Sequence, residues 1–322
     1  MRAIVVTEHG GPEQLRLQEV DVPAVGPGQV RVAVRAAGLN FIDVYQRRGH
    51  YPVSLPYTPG HEAAGVVEAV GEGVTGVQPG DPVAYLSAPG AYAERQVVEA
   101  DRLIPLPADL SFEQGAAFPL QGMTAHYLLH EYRRLKPGDT VLIHAAAGGM
   151  GLLLVQWARH LGAYVIGTVS TEEKAQAARE AGAHAVILYT QQDFVAETRR
   201  LTGGRGVDLI IDGVGKTTFA NDLEAVATRG NIVLYGAASG PADPFSPHAL
   251  QARSITVSGG RLFDFIATAE ERHWRAQEVL AGIRAGWLQL RIDHVLPLEQ
   301  AAEAHRLLES RASIGKIVLR IS

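Results

Sequence analysis

The sequence contains no cysteine. Disulfides and thiolate-ligated metals are thereby excluded, and the absence fits a reducing compartment. Long apolar runs are also missing. The stretch 140–147 is far below membrane-spanning length, and the apolar start at 1–6 is too short for a signal peptide and soon meets charge. A cytoplasmic protein is the expectation. Positive charge is not in excess either: 29 Lys and Arg face 34 Asp and Glu, a net charge of -5. Such a chain has no general attraction for phosphate backbones or anionic membranes, so nucleic-acid and membrane partners are not expected. No fixed-period repeat, low-complexity segment or Ser–His–Asp signature is present.

What is present suits two domains of ordinary size in 322 residues. Up to about residue 122, short β-like runs alternate with turn residues. Residues 29–35 alternate polar and apolar, as a half-buried strand does. Residues 63–70 form a second strand, with Gly65 marking a bulge or a close approach. Pro79-Gly80-Asp81 opens a third strand at 82–86. These features predict a β-rich lobe, such as a partly open barrel. Beyond that point apolar strands at 140–144, 164–168, 185–188, 207–212, 231–235 and 254–257 alternate with helices at 150–161, 172–181, 192–201 and 217–227. This alternation is the sequence form of a doubly wound parallel sheet. Residues 275–285 and 298–310 read as helices. A last strand at 316–320 is placed to rejoin the first lobe.

The segment Ala145-Ala146-Ala147-Gly148-Gly149-Met150-Gly151 follows a buried strand and opens a helix. Against the G-x-G-x-x-G pattern it matches at Ala146, Gly148 and Gly151, with alanine for the first glycine. Small residues there let a pyrophosphate approach the backbone, and the helix start offers N–H groups and partial positive charge. The plainer reading is a turn that only packs helix on strand. At the end of the second strand, where NAD sites place a carboxylate, the sequence has Thr168-Val169-Ser170-Thr171, with Lys174 one turn later. Nothing acidic at the strand end repels a 2′-phosphate, Ser170 can donate a hydrogen bond and Lys174 a charge. NADPH is the expected cofactor. The competing reading makes Glu172 and Glu173 the ribose contacts and Lys174 a solvated residue.

Four segments carry a family resemblance: Ala37-Gly38-Leu39-Asn40-Phe41-Ile42-Asp43, Gly60-His61-Glu62-Ala63-Ala64-Gly65, His144-Ala145-Ala146-Ala147-Gly148-Gly149 and Leu308-Glu309-Ser310-Arg311-Ala312. In order and content the chain resembles the zeta-crystallin-like quinone oxidoreductases, the zinc-free branch of the medium-chain dehydrogenase/reductase superfamily. The resemblance implies an α/β protein with a GroES-like β-rich catalytic domain plus a doubly wound Rossmann domain with a parallel six-stranded sheet. Residues 1–122 and 263–322 would form the catalytic domain and residues 123–262 the NADPH-binding domain, with a cleft between them. It implies a homodimer paired through the Rossmann sheet edges. It places Asn40, Asp43, Tyr45 and Tyr51 at the nicotinamide end, Ala146, Ala147, Gly148, Gly149, Met150 and Gly151 on the pyrophosphate, and Ser170, Lys174 and Tyr189 around the 2′-phosphate. Tyr235, Gly236 and Lys316 fall near further cofactor contacts. Gly259-Gly260-Arg261-Leu262 departs from the family pattern, so no role is carried over to Arg261.

Zinc-dependent relatives use a cysteine and a Gly-His-Glu segment as catalytic ligands. This chain keeps His61 and Glu62 but has Asn40 at the cysteine position and no thiolate near Leu120. One His–Glu pair is too few ligands for zinc, so no metal is expected and His61 is read as a hydrogen-bonded structural residue. The expected chemistry is hydride transfer from NADPH to a quinone or another conjugated carbonyl compound. Tyr45 and Tyr51 are candidates to stabilise or protonate the resulting oxyanion, or they are aromatic walls. Reduction of an enone or alkenal double bond by the same site is the nearest alternative. A cofactor-binding protein with a non-catalytic role is the alternative from another class.

Overall fold

The computed structural model describes all residues, Met1–Ser322. It divides into two compact units, Met1–Leu120 with Leu290–Ser322, and Gln121–Gln289.

The first unit is built on the strand Gln29–Gly38, whose alternation buries Val30, Val32 and Val34. This strand pairs antiparallel with Glu62–Val70 along most of its length. Its other edge pairs first with Arg95–Glu99 and then, from Ala36 onward, with Lys316–Arg320. One strand thus joins the early strands to the C-terminal segment in a single seven-stranded sheet that also includes Pro82–Leu86, Leu103–Pro105 and Ile292–Pro297. Gly65 is the expected close approach. A Cβ there would lie 2.1 Å from the Ala33 carbonyl oxygen, and the ladder shifts register between Val34 and Ala36.

The second unit carries a six-stranded, all-parallel sheet. Its order is Ala185–Leu188, Tyr164–Val169, Thr140–Ile143, Val207–Asp212, Val226–Leu234 and Thr256–Gly259. The inner strands bury both faces, with Leu142, Ile166, Ile210 and Ile232 fully covered, as parallel strands between helical layers must. The sequence alternation predicted this sheet, and its order reverses direction beside Thr140–Ile143, the switch point at which α/β sheets bind ligands.

Several expected boundaries moved. The helix expected over 217–227 is only Phe219–Ala225, and the following strand starts at once at Val226 rather than at 231. Val226 pairs with Val207 and is fully buried in the sheet. The helix expected from 275 begins at Ala269, where Thr268 and Glu271 form a capping box. The change of character near residue 122 falls inside a helix, Pro119–His130. The return to the first domain, expected at 263, occurs at Leu290. Residues 263–289 stay with the sheet unit because the helix Ala269–Arg284 packs on Pro119–His130. Gly122 there lies so close to Val279 that a Cβ would approach its Cγ1 to 2.7 Å. From the same helix Arg275 donates to His126 Nδ1 (2.7 Å) and to Glu131. No helix is long and apolar enough to cross a membrane.

Candidate active site and cofactor-binding turn

In the sheet unit, the turn 145–151 is shaped by contacts that dictate its residues. Ala145 takes a left-handed φ of 51°, and its carbonyl accepts from Gly148 N–H at 2.9 Å. Ala146 N–H donates to the Thr168 carbonyl of the neighbouring strand at 3.1 Å. The alanine that replaces the first glycine of the motif is accommodated from the other side. Gly167 has no side chain, and a Cβ there would come within 2.6 Å of the Ala146 methyl. Gly151 is compulsory, since its Cβ would lie 2.2 Å from the Ala145 carbonyl oxygen. Gly148 differs. It caps the helix Gly149–His160 in extended conformation, and a Cβ would meet only the Ala145 oxygen, at 3.4 Å. The turn therefore leaves space at the start of a twelve-residue helix, which fits an approaching phosphate. Ala147 is buried, whereas Gly149 and Met150 are partly open.

Beyond the next strand, Thr171 caps the helix Glu172–Glu180 and its hydroxyl accepts from Lys174 N–H. Ser170 and Lys174 are partly exposed, and Tyr189 is 48% exposed. The two strand ends adjoin, because Tyr189 N–H donates to Val169 and Thr190 Oγ1 to Ser170. Ser170, Lys174 and Tyr189 thus share one end of the sheet. Glu172, the alternative sugar contact, instead pairs with Arg179 at 2.5 Å along its own helix. Tyr235 lies at the end of the central strands, where Gly213 and Gly236 pack so closely that neither could carry a Cβ without a shift.

Below the turn runs a polar chain that the sequence reading missed. His144 Nδ1 meets Thr168 Oγ1 at 2.8 Å, and His144 Nε2 meets Asp222 Oδ1 at 2.7 Å. Asp212 accepts from Val214 and Gly215 N–H and from Thr218 Oγ1. Burial pushes Asp222 up to about 6, although His144 opposes the shift. Burial also pushes His144 down, but the Asp222 carboxylate outweighs it and the net direction is up. The chain ties three strand ends together beneath the turn 145–151.

In the first unit, Asn40 starts the helix Phe41–Arg47. Its backbone N–H donates to Asp43 Oδ2 at 2.9 Å, and Asp43 also accepts from Tyr92 OH at 3.2 Å. Asp43 is fully buried, and burial raises its pKa despite the nearby cations. Its carboxylate supports Asn40 from within the fold. The Asn40 side chain donates through Nδ2 to Glu62 Oε1 at 2.7 Å and accepts from Lys316 Nζ at 2.8 Å. Lys316 also donates to Glu62 Oε1, and Leu120 N–H donates to Glu62 Oε2 at 2.7 Å. Gly38 makes room for that carboxylate, because a Cβ there would be 2.6 Å from Glu62 Oε1. Asn40, Glu62 and Lys316 are all buried. His61 uses both ring nitrogens, on the Ser87 carbonyl (2.9 Å) and on Gln46 (3.0 Å). No group of three or more His, Cys, Asp or Glu is arranged to hold a metal ion.

Tyr45 and Tyr51 lie side by side with ring centroids 5.2 Å apart, and Tyr51 is 42% exposed. Phe41 and His50 extend the aromatic patch, at 6.0 and 6.5 Å from Tyr45. Deeper in the same unit, Arg47 donates to His305 Nδ1 at 2.9 Å, and His305 Nε2 meets Tyr92 OH at 3.2 Å. Of these partners, Glu62 was visible in sequence only as a zinc-type segment, and His305 and Tyr92 gave no signal.

The chain matches two family models, an alcohol dehydrogenase GroES-like domain over residues 26–108 and a zinc-binding dehydrogenase model over residues 149–276. It is 44% identical to a 2-haloacrylate reductase from a Burkholderia species, with 98% of each chain covered. It is 42% identical to a quinone oxidoreductase from Pseudomonas aeruginosa, with 99% of each covered. The crystal structure of Escherichia coli quinone oxidoreductase complexed with NADPH superposes with a TM-score of 0.97 at 40% identity, over 99% of this chain and 100% of that one. With full-length similarity at this level, a β-rich first unit and a parallel sheet opening on a glycine turn, the chain belongs to the quinone oxidoreductase family of the medium-chain dehydrogenase/reductase superfamily.

Proposed function

We propose that this protein is an NADPH-dependent oxidoreductase that reduces quinones without a metal. The observation that carries the reading is the turn 145–151. It has an obligatory glycine at 151 and open space at Gly148, and it stands at the switch point of the parallel sheet. The turn backbone and the helix start bind the pyrophosphate, with Ala146, Ala147, Gly149 and Met150 shaping the approach. Ser170, Lys174 and Tyr189 receive the 2′-phosphate. Tyr235 and Gly236 border the same sheet end. The neighbouring structure solved with NADPH supports this choice of cofactor.

Bound NADPH supplies the hydride from its nicotinamide ring. In the first unit, Asn40 offers a hydrogen-bonding amide to the nicotinamide end, and Asp43 holds Asn40. Tyr45 and Tyr51 present aromatic faces to a flat acceptor and an O–H to the oxygen that gains charge on reduction. The product gains a hydride and one proton, so a donor at that oxygen is required. Reduction of a conjugated carbon–carbon double bond is the second reading, favoured by the 44% identity to a 2-haloacrylate reductase. NADPH consumption with a benzoquinone, a simple enone and 2-haloacrylate decides between the two. The quinone is expected to turn over fastest. A faster enone or haloacrylate would select the second reading, and no oxidation with any acceptor would leave a binding role.

Lys174→Ala is expected to weaken NADPH about tenfold or more and NADH hardly at all, because only the phosphate ester loses a charged partner. Titration of both cofactors checks this, and equal weakening would remove Lys174 from the phosphate site. The strand Thr256–Gly259 is paired only on its inner side, which supports a homodimer formed by adding a second copy at that edge. The cysteine-free composition supports a cytoplasmic location.

A further inference from the structure

The buried trio Asn40, Glu62 and Lys316 has more order than a surface ion pair. Lys316 sits at the start of a strand, directly before the buried Ile317-Val318-Leu319, and is 3% exposed, and Glu62 is fully covered. An ammonium can only donate and a carboxylate can only accept. Lys316 meets Asn40 at Oδ1, while Glu62 receives Asn40 through Nδ2. Turning the amide over would set its NH2 against the ammonium and its oxygen against the carboxylate. Both contacts would be repulsive in a site with little solvent to screen them. The ion pair therefore permits one orientation of the Asn40 amide and fixes the direction of its N–H groups. Asp43 fixes the backbone of the same residue from the other side.

We propose that Lys316 is a positioning residue for hydride transfer, and that the Lys316–Glu62 pair locks the Asn40 carboxamide in the orientation that meets the nicotinamide end. This role differs from a direct contact between Lys316 and the cofactor. It rests on the proposed place of Asn40 at that end of the site. The ammonium supplies the single positive charge that the buried Glu62 requires, and it does so from a strand paired with the one that leads into Asn40.

The test uses the full-length protein with Lys316→Met, Asn40→Leu and the two combined. Lys316→Met/Glu62→Gln provides a variant without a stranded carboxylate. In the free protein, the side-chain NH2 signals of Asn40 are identified by their loss in Asn40→Leu. They are expected to shift in Lys316→Met, where Oδ1 loses its donor but Glu62 still accepts from Nδ2, and to converge in Lys316→Met/Glu62→Gln, where neither charge remains. At saturating NADPH, Lys316→Met is expected to lower kcat about tenfold or more, with the NADPH dissociation constant changed less than about threefold. Asn40→Leu is expected to lower kcat similarly, and the combined variant no further, as for residues acting as one unit. Unchanged Asn40 signals in Lys316→Met overturn the lock, whatever the activity. A kcat that is retained while NADPH binding weakens overturns it in favour of a direct cofactor contact. Converged signals with full turnover in Asn40→Leu would keep the lock and remove Asn40 from the nicotinamide end.

Discussion

Gly148→Ala is expected to leave the free protein folded while weakening NADPH about tenfold or more, and Gly151→Ala is expected to cost several kcal/mol of stability before any ligand is added. The two glycines stand three residues apart and do opposite jobs. At Gly148 a methyl group meets one atom at 3.4 Å, an ordinary contact, and the backbone conformation is one any residue adopts. The methyl would project into the space a pyrophosphate needs, so the loss should appear in binding. At Gly151 the methyl would lie 2.2 Å from one backbone oxygen and 2.6 Å from two carbons of Ala146. Backbone cannot rotate away as a side chain does, so turn and helix must separate, with a cost in the range of severe overpacking. Thermal unfolding without ligand and fluorescence titration with NADPH measure the two effects separately. A Gly148→Ala protein with native NADPH affinity would place the phosphate elsewhere.

The second large effect is acid sensitivity centred on two histidines. His126 and His305 are buried, and each faces an arginine, Arg275 and Arg47 respectively. Burial, with added repulsion from the neighbouring cations, pushes both down to about 3. Their folded pKa is depressed below the unfolded value of about 6.5. Between about pH 6.5 and 3 the unfolded chain therefore binds more protons at these sites, and their contribution to stability falls as the pH falls. By pH 4.5 each native histidine should have lost roughly 2–3 kcal/mol relative to pH 7. Asp222, raised to about 6, works in the opposite sense, since its burial is relieved as it protonates. The clean measurement is therefore a difference. The stability advantage of the native chain over His305→Gln, and over His126→Gln, should shrink by that amount between pH 7 and 4.5. An advantage independent of pH would mean that the imidazoles take up protons alike in the folded and unfolded chains, and one that grows toward pH 4.5 would mean that the folded state already holds them.

The parallel sheet was legible because its strands are short apolar runs bounded by turn residues. Ala185–Leu188, Val207–Asp212 and Lys316–Arg320 lie where the sequence puts them. The boundary at 225–227 was misread because short apolar stretches carry no period of their own. Ala225-Val226-Ala227 reads equally as the end of a helix or the start of a strand, and pairing with Val207 decides it. At Ala269 the signal was available in Thr268 and Glu271, but the polar first turn of the helix concealed it. The turn 145–151 is local, and its tight shape was readable as one string of small residues. The Asn40 site was not, because Glu62 and Lys316 are 254 residues apart and nothing local marks a lysine as buried. His144 and Asp222, 78 residues apart, were hidden in the same way.

The insertion of one unit within the other sets a schedule for synthesis. Gln121–Gln289 is continuous and can close its sheet while translation is still under way. Glu62 must wait for Lys316, which emerges roughly ten to fifty seconds later at ordinary elongation rates. Until it arrives, Glu62 lacks the one counter-charge that the buried site supplies. The late strand is thus the clasp that closes the first unit of the nascent chain.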